Sequence, residues 1–303
     1  MPRASKVVLA IVLIMGAAPV SPSIHGMVLP GGKGADSAEP AQQATLKPAA
    51  TAAPDIPFKN LDLEAEAALL NLANQARTHA GAPPLALDSG LSQAARAHAE
   101  AMFASRQLSH QLDGEPSLPQ RLAIATQLQL DQEGENVALD YDAERGHQHL
   151  MLSPPHRANL LNPAYNVVGM GVVRSGDRLY IVQDFGRALP KYSPAEMKDR
   201  IAATLTQMRH QAKQPDLARL GLRDADDAAC SMAQADKLGT FPVRQLAGHY
   251  TVLTYTSLHP ETLPANAGHM LASHNLRSFS IGTCYARSAT YPTGVYWVVV
   301  ALD

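Results

Sequence analysis

Aromatic side chains, cysteines, basic runs and long apolar stretches are all scarce in this chain, and each scarcity closes off a class of function. Phe, Trp and Tyr make up 5% of 303 residues, with a single tryptophan, Trp297. That is poor material for a surface that stacks bases or sugars. The net charge is −2 and no long basic run occurs, so nothing offers the footprint that a polyanion needs. Nucleic-acid binding is therefore not expected, although charge alone does not exclude a nuclease. The only cysteines, Cys230 and Cys284, lack the close paired spacing of zinc ligands. In an oxidising compartment they would form one disulfide.

The longest apolar run, Val7 to Ala18, falls short of the roughly 20 residues that cross a bilayer. Arg3 and Lys6 precede it and Gly16-Ala17-Ala18 close it, the charged, apolar and small-residue order of a signal peptide over residues 1–20. An uncleaved anchor is the alternative; on either reading the folded part is exported, to the periplasm or beyond the cell. No cysteine follows the run to accept a lipid. Residues 21–57 are rich in Ala, Pro and Gly and poor in large apolar side chains, so they read as a flexible tether.

Order is expected from about residue 58. Leu61, Ala65, Leu69, Leu72 and Ala76 recur at helical spacing before Gly81. Asp88 or Ser89 can cap a second helix, with Leu91, Ala95, His98 and Met102 on one face. Pro119 opens a short third helix, and a fourth runs from Asp142 to Leu152, ended by Pro154-Pro155. "YNVVGMGVVRSGDRLYIVQDFG" then reads as two strands around a Ser175-Gly176-Asp177 turn. Helices first and paired strands later predict an α+β layered fold. After residue 190 the pattern starts again: helical "PAEMKDRIAATLTQMRHQA" and "LRDADDAACSMAQADKLGT", then paired strands in "FSIGTCYARSATYPTGVYWVVVALD". This suggests a degenerate repeat over 191–303, shorter in its middle; an unrelated α+β domain is the alternative.

The chemistry-bearing residues fall in three short segments. "LSH" places His110 just past the second helix, "GENVA" sets Glu135 and Asn136 beside Gly134, and "SPPHRANLL" places Ser153, His156 and Arg157 at a sharp corner. Two imidazoles and a carboxylate could hold a divalent metal such as zinc, with one position left open, or act as a general acid–base pair. Read singly, each also fits a structural role: a loop histidine, a capping glutamate, a salt-bridging arginine. His98 lies on an apolar helix face and reads as a satisfied, partly buried histidine; His147 and His149 read as solvated. Ser109 and Ser153 lack the Gly-x-Ser-x-Gly elbow of a serine hydrolase. "GMGVVR" lacks the third glycine and the following helix of a dinucleotide loop.

In their order, "NLANQARTHAGAPPLALDSGLSQAARAHAEAM", "LSH", "GENVA", "SPPHRANLLNPAYNVVGMGV" and "YIVQDFG" resemble a CAP domain, the superfamily of cysteine-rich secretory proteins, antigen 5 and plant pathogenesis-related protein 1. The resemblance covers about residues 62–187. It implies an α-β-α sandwich over 58–190 with an open cleft lined by histidine and acidic residues, followed by the smaller degenerate unit. The family's cleft histidine falls on His110 and its first glutamate on Glu135. Its second glutamate falls near Ser153, with Leu150 at the preceding tryptophan position, and its second histidine falls near Pro163, so half of the usual tetrad is missing. The "SPxHR" form carrying His156 resembles the bacterial branch. The expected function is a binding module of the cell envelope or extracellular space, for a small molecule, a lipid or an envelope component. A metal-dependent nuclease or peptidase is the alternative. The corner is expected to bring His156 and Arg157 towards Glu135 and His110.

Overall fold

The computed structural model describes residues 25–29 and 60–303. A short strand, β1 (His25–Leu29), comes first and belongs to the sheet of the second unit. In the first unit, α1 (Leu63–His79) is followed by β2 (Ala86–Leu87), α2 (Ser89–Ser105), α3 (Leu118–Ala125), β3 (Leu130–Asp140), α4 (Ala143–Leu152), α5 (Pro154–Leu161), β4 (Val167–Ser175) and β5 (Arg178–Ala188). Its sheet has the order β2-β4-β5-β3, with only the β2–β4 pair parallel.

Local chemistry accounts for the helices. Asp62 Oδ1 accepts from the Ala65 amide at 3.0 Å and opens α1, whose last turn carries Arg77 and His79 against the helix dipole. Asp88 Oδ1 accepts from the Leu91 amide at 2.8 Å and opens α2. Ser117 and Gln120 form the capping box of α3, with Pro119 in its first turn. The proline pair does more than end a helix. α4 stops at Leu152, and Pro154 starts α5, because a proline needs no amide partner in a first turn. His156 and Arg157 thus lie on a helix and not in a loop.

The sheet is covered on both faces. Leu69, Leu150 and Leu160 from α1, α4 and α5 pack with Val168, Met170, Val172, Ile181 and Phe185 on one face. On the other, Ala95 and Met102 of α2 pack with Val137, Val173 and Val182. There α2 lies directly on β4. A Cβ at Gly169 or Gly171 would stand 2.1 Å from Leu91 C or 2.2 Å from Ala95 C, so only glycine admits this approach.

The second unit repeats the architecture: α6 (Pro194–Gln211), β6 (Ala218–Arg219), α7 (Arg223–Ala235), α8 (Phe241–Ala247), β7 (Thr251–Ser257), α9 (Ala267–Leu271), β8 (Ser278–Ala286) and β9 (Val295–Leu302). Its strands lie in the order β6-β8-β9-β7, again with a parallel two-residue strand at one edge. Two details recur at equivalent places. Arg77 Nε donates to Pro83 O at 2.7 Å and its Nη1 to Leu160 O and Asn162 O; Arg209 Nε donates to Pro215 O at 3.0 Å and its Nη1 to Leu271 O and Ser273 O. Gly282 lies under Ala225 of α7 as Gly171 lies under Ala95. These shared constraints go beyond generic α+β patterning. Cys230 of α7 is bonded to Cys284 of β8, with Cα atoms 5.0 Å apart, stapling helix to sheet.

One expectation is corrected. Part of the segment read as a tether, His25–Leu29, forms β1, which pairs antiparallel with β7 from His25↔Thr256 to Leu29↔Val252 and makes a fifth strand of the second sheet. The edge of β7 offers unpaired backbone groups, and a short extended segment satisfies them with few side-chain requirements. The signal-peptide region and the rest of the tether lie outside the described residues. No helix among the described residues is long and apolar enough to cross a membrane.

Candidate functional site

The site is built around the open edge of β3. Glu135, sixth residue of that strand, is buried, and both of its oxygens are engaged. His110 Nδ1 lies 2.8 Å from Oε1, while the Arg121 guanidinium of α3 forms an ion pair with Oε2. A carboxylate only accepts, so the Nδ1–H of His110 donates to Glu135 and its Nε2 is turned to the outside. The His110 side chain is 37% exposed, against 4% for Glu135.

His110 stands on the loop after α2, and that loop is braced from beneath by His98. This imidazole is fully buried; Nε2–H donates to Ser109 O at 2.8 Å and Nδ1 lies 2.7 Å from Glu115 Oε1. Glu115 in turn lies 3.4 Å from Arg121, whose Nη1 also donates to His110 O at 3.4 Å. The satisfied-histidine reading of His98 holds. Its partners Glu115 and Arg121 were not anticipated, because each sits in a segment whose sequence reads only as loop or helix surface.

Across the sheet Glu135 pairs in register with Asp184 of β5. Asp184 is wholly buried and, among the described residues, neither carboxyl oxygen has a hydrogen-bond partner. Burial pushes its carboxyl well above the usual carboxylate range, and the charge of Glu135 pushes it further against the opposing pull of Arg121. Asp184 therefore sits beside Glu135 as a neutral acid. Two residues earlier on β3, burial pushes the Glu133 carboxyl up to about 7. The signal for Asp184 was present in "YIVQDFG", where a carboxylate interrupts an otherwise buried strand.

His156 approaches from the other side of β3. Its ring centroid lies 6.3 Å from that of His110, with the planes tilted by 35°. Burial, and then the nearby His110, lower its pKa, so the imidazole is neutral near neutral pH. The expected convergence of His110, Glu135 and His156 is thus present. Asn136 holds it in place without lining it: fully buried, it donates from Nδ2 to His156 O and Gln183 Oε1, both at 3.1 Å, and accepts from Asn159 Nδ2 at 3.0 Å. These bonds tie α5 to β3. Ser153 precedes α5 and its carbonyl accepts from the Arg157 amide at 2.9 Å; its hydroxyl makes no cap hydrogen bond, and among the described residues no hydrogen bond joins it to His110 or Glu135. Arg157 is exposed, and among the described residues no hydrogen bond or ion pair holds its guanidinium. Leu150 is buried in the core. His149 is exposed beside Asp140 Oδ2 at 2.5 Å, and His147 is half-buried.

The metal reading does not fit these residues. No group of three or more His, Cys, Asp or Glu side chains among the described residues is placed to hold an ion. The physical reason is Arg121: both oxygens of Glu135 are already engaged, Oε1 by His110 and Oε2 by a guanidinium whose positive charge opposes a dication there. What the cleft presents outward is imidazole from His110 and His156, and beside the latter an unpaired guanidinium on the next residue of α5.

Residues 70–185 match the family described as CAP, the cysteine-rich secretory protein family. A protein of Bacillus subtilis (strain 168), described as the uncharacterized membrane protein YlbC, is 32% identical over 141 residues, covering 46% of this chain and 39% of that protein. This chain therefore spans about two-fifths of that relative's length. An extracellular protein containing a SCP domain from Bacillus anthracis str. Ames is 27% identical, covers 42% of this chain and 41% of its own, and superposes with a TM-score of 0.38. An outer surface protein from Borrelia burgdorferi is 21% identical, covers 43% of this chain and 98% of its own, and has a TM-score of 0.40.

Proposed function

We propose, from the match of residues 70–185 to the CAP family, that this chain is an exported binding module whose β3 cleft takes an anionic group of a small molecule, a lipid or an envelope component. One observation carries the reading. Both Glu135 oxygens are engaged and the Asp184 carboxyl is held protonated, while the imidazoles of His110 and His156 are part-exposed and the guanidinium of Arg157, next on α5, is exposed and unpaired among the described residues. Of this set Arg157 supplies positive charge and hydrogen bonds to a carboxylate or phosphate, and the neutral His156 can add a ring N–H. Export is supported by the charged and apolar regions of residues 1–20 and by the Cys230–Cys284 bond, which persists in oxidising compartments.

The test is calorimetric titration of the full chain with inorganic phosphate, a short-chain fatty acid and vesicles of phosphatidylglycerol. Arg157→Ala and His156→Ala should each weaken binding of the preferred probe by about tenfold, the effect of losing one charge-assisted hydrogen bond. Equal affinity in wild type and both variants, or no binding to any probe, defeats the reading. A hydrolase remains a second reading on one specific ground: Glu135 fixes the tautomer of His110 so that Nε2 faces the cleft as a base. Turnover of a peptide, nucleic-acid or ester panel, abolished in His110→Ala, would establish it in place of the first.

A further inference from the structure

The second unit has Leu238-Gly239-Thr240 where the first has Leu108-Ser109-His110, yet it grips the piece of chain on which the first unit's cleft depends. Arg287 lies just past β8, and its guanidinium donates to three carbonyls of the first unit: Ala123 O, Thr126 O at 2.6 Å and Leu128 O at 3.4 Å. These are the carbonyls at and beyond the C-terminal end of α3, a helix with no basic residue in its last turn and Thr126 as its C-cap. A helix end of that kind leaves carbonyls without partners and carries partial negative charge. The cap is supplied from 159 to 164 residues away. A second contact follows a few residues on. His259 Nε2 lies 2.8 Å from Asp131 Oδ2, where the side chain of Arg187 also binds; Asp131 is the second residue of β3.

Arg287 and His259 therefore hold the two ends of the segment that joins α3 to β3. α3 carries Arg121, β3 carries Glu135, and the ion pair between them orients His110. We infer that the second unit is a brace for the cleft: Arg287, assisted by His259, is a positioning residue that fixes the spacing of α3 from β3 and through it the Arg121–Glu135–His110 chain. This does not depend on what the cleft binds. It gives a unit without a polar site of its own a function that requires only its frame and its two contacting side chains.

The experiment uses the full chain and two readouts by nuclear magnetic resonance: amide exchange across α3, and the His110 Nδ1 proton that the Glu135 carboxylate shields from solvent exchange. Arg287→Ala should speed exchange at the Thr126 amide, which donates to Leu122 O, by about tenfold and should broaden or remove the His110 Nδ1 resonance. Arg287→Lys should restore part of both. Arg219→Ala, in the second unit but paired with Asp199 away from this contact, should change neither. Faster exchange in α3 with an unchanged His110 resonance would make Arg287 a helix cap only and would overturn the inference. Should Arg287→Ala unfold, the same readouts on Arg287→Lys and His259→Gln decide it, and a wild-type His110 signal in both overturns it.

Discussion

Replacing Glu133 by glutamine should flatten part of the pH dependence of stability and make the protein more stable at neutral pH. The native carboxyl is pushed from its ordinary 4.5 up to about 7 by burial on β3. In the unfolded chain it ionises as pH rises past 4.5, while the folded chain still holds the proton. Folding stability from this group is therefore fully present below about 4.5, falls as pH rises from there to about 7, and is constant above. Raising the carboxyl from 4.5 to about 7, at about 1.36 kcal/mol for each pH unit of that window, amounts to about 3 kcal/mol lost across it. Glutamine keeps the shape and cannot ionise, so the variant lacks this loss. Urea unfolding of both proteins at about pH 4 and about pH 8 measures it, since a term common to both, such as that of Asp184, cancels in the difference. The variant should gain about 3 kcal/mol on wild type between the two conditions. A stability difference that is the same at both pH values would refute the burial argument.

Asp184→Asn should act in the same direction, because the native carboxyl is also held neutral above its ordinary 3.8; its advantage over wild type should grow by about 1.4 kcal/mol per pH unit from just above that value, read from the same urea series. Gly171→Ala and Gly282→Ala should each cost at least about 2 kcal/mol in thermal or urea unfolding, because the new methyl would meet the backbone of α2 or α7 at about 2 Å. Reducing Cys230–Cys284 opens a loop with a sequence separation of 54 and should lower stability by about 4 kcal/mol in the chain-entropy treatment, seen as a lower melting midpoint with reductant and no such shift in a Cys230→Ser, Cys284→Ser variant. Zinc titration should give no binding step that both His110→Ala and Glu135→Gln remove; such a step would restore the metal reading of the cleft.

Some elements could be read from the sequence because their signals are local. α1 and α2 show apolar residues at helical spacing behind an aspartate cap, and Gly176-Asp177 between β-branched runs announces the β4–β5 hairpin. The cysteine pair could be read from compartment and count. β3 could not be read this way. "LDQEGENVALD" has no alternation, because the buried polar side chains of the site, Glu135 and Asn136, occupy positions where apolar residues would have announced a strand. Of the site itself, His110, Glu135 and His156 were legible as a constellation only through the resemblance to CAP domains. Arg121 and Glu115 were not, since an arginine on a short helix and a glutamate in a loop carry no pattern that distinguishes a buried ion pair from a solvated one. The proline pair was ambiguous for a similar reason: the same two residues that stop α4 also begin α5.

The two units separate what the frame requires from what the site requires. Both keep a buried arginine at the end of their first helix, with Nε on a proline carbonyl six residues ahead and Nη1 on two carbonyls near the C-terminus of the helix before the central strand. That arrangement satisfies several buried acceptors with one side chain, and neither lysine nor an apolar residue reproduces it. Both also keep a glycine where a helix rests on the central strand. The cleft residues are a different matter. Where the first unit has Leu108-Ser109-His110 after α2, the second has Leu238-Gly239-Thr240 after α7, and Thr240 there is spent on opening α8 and on a 2.5 Å contact with Ser231. The outer edge of β3 receives Asn159 Nδ2 on Glu135 O and Tyr165 Oη on Glu133 O, whereas the matching edge of β7 receives a whole strand, β1. Once a strand lies on that edge there is no room for a cleft over it. The second unit thus shares the frame of the first without its cleft residues, and the surface it presents through Arg287 and His259 meets the α3–β3 connection.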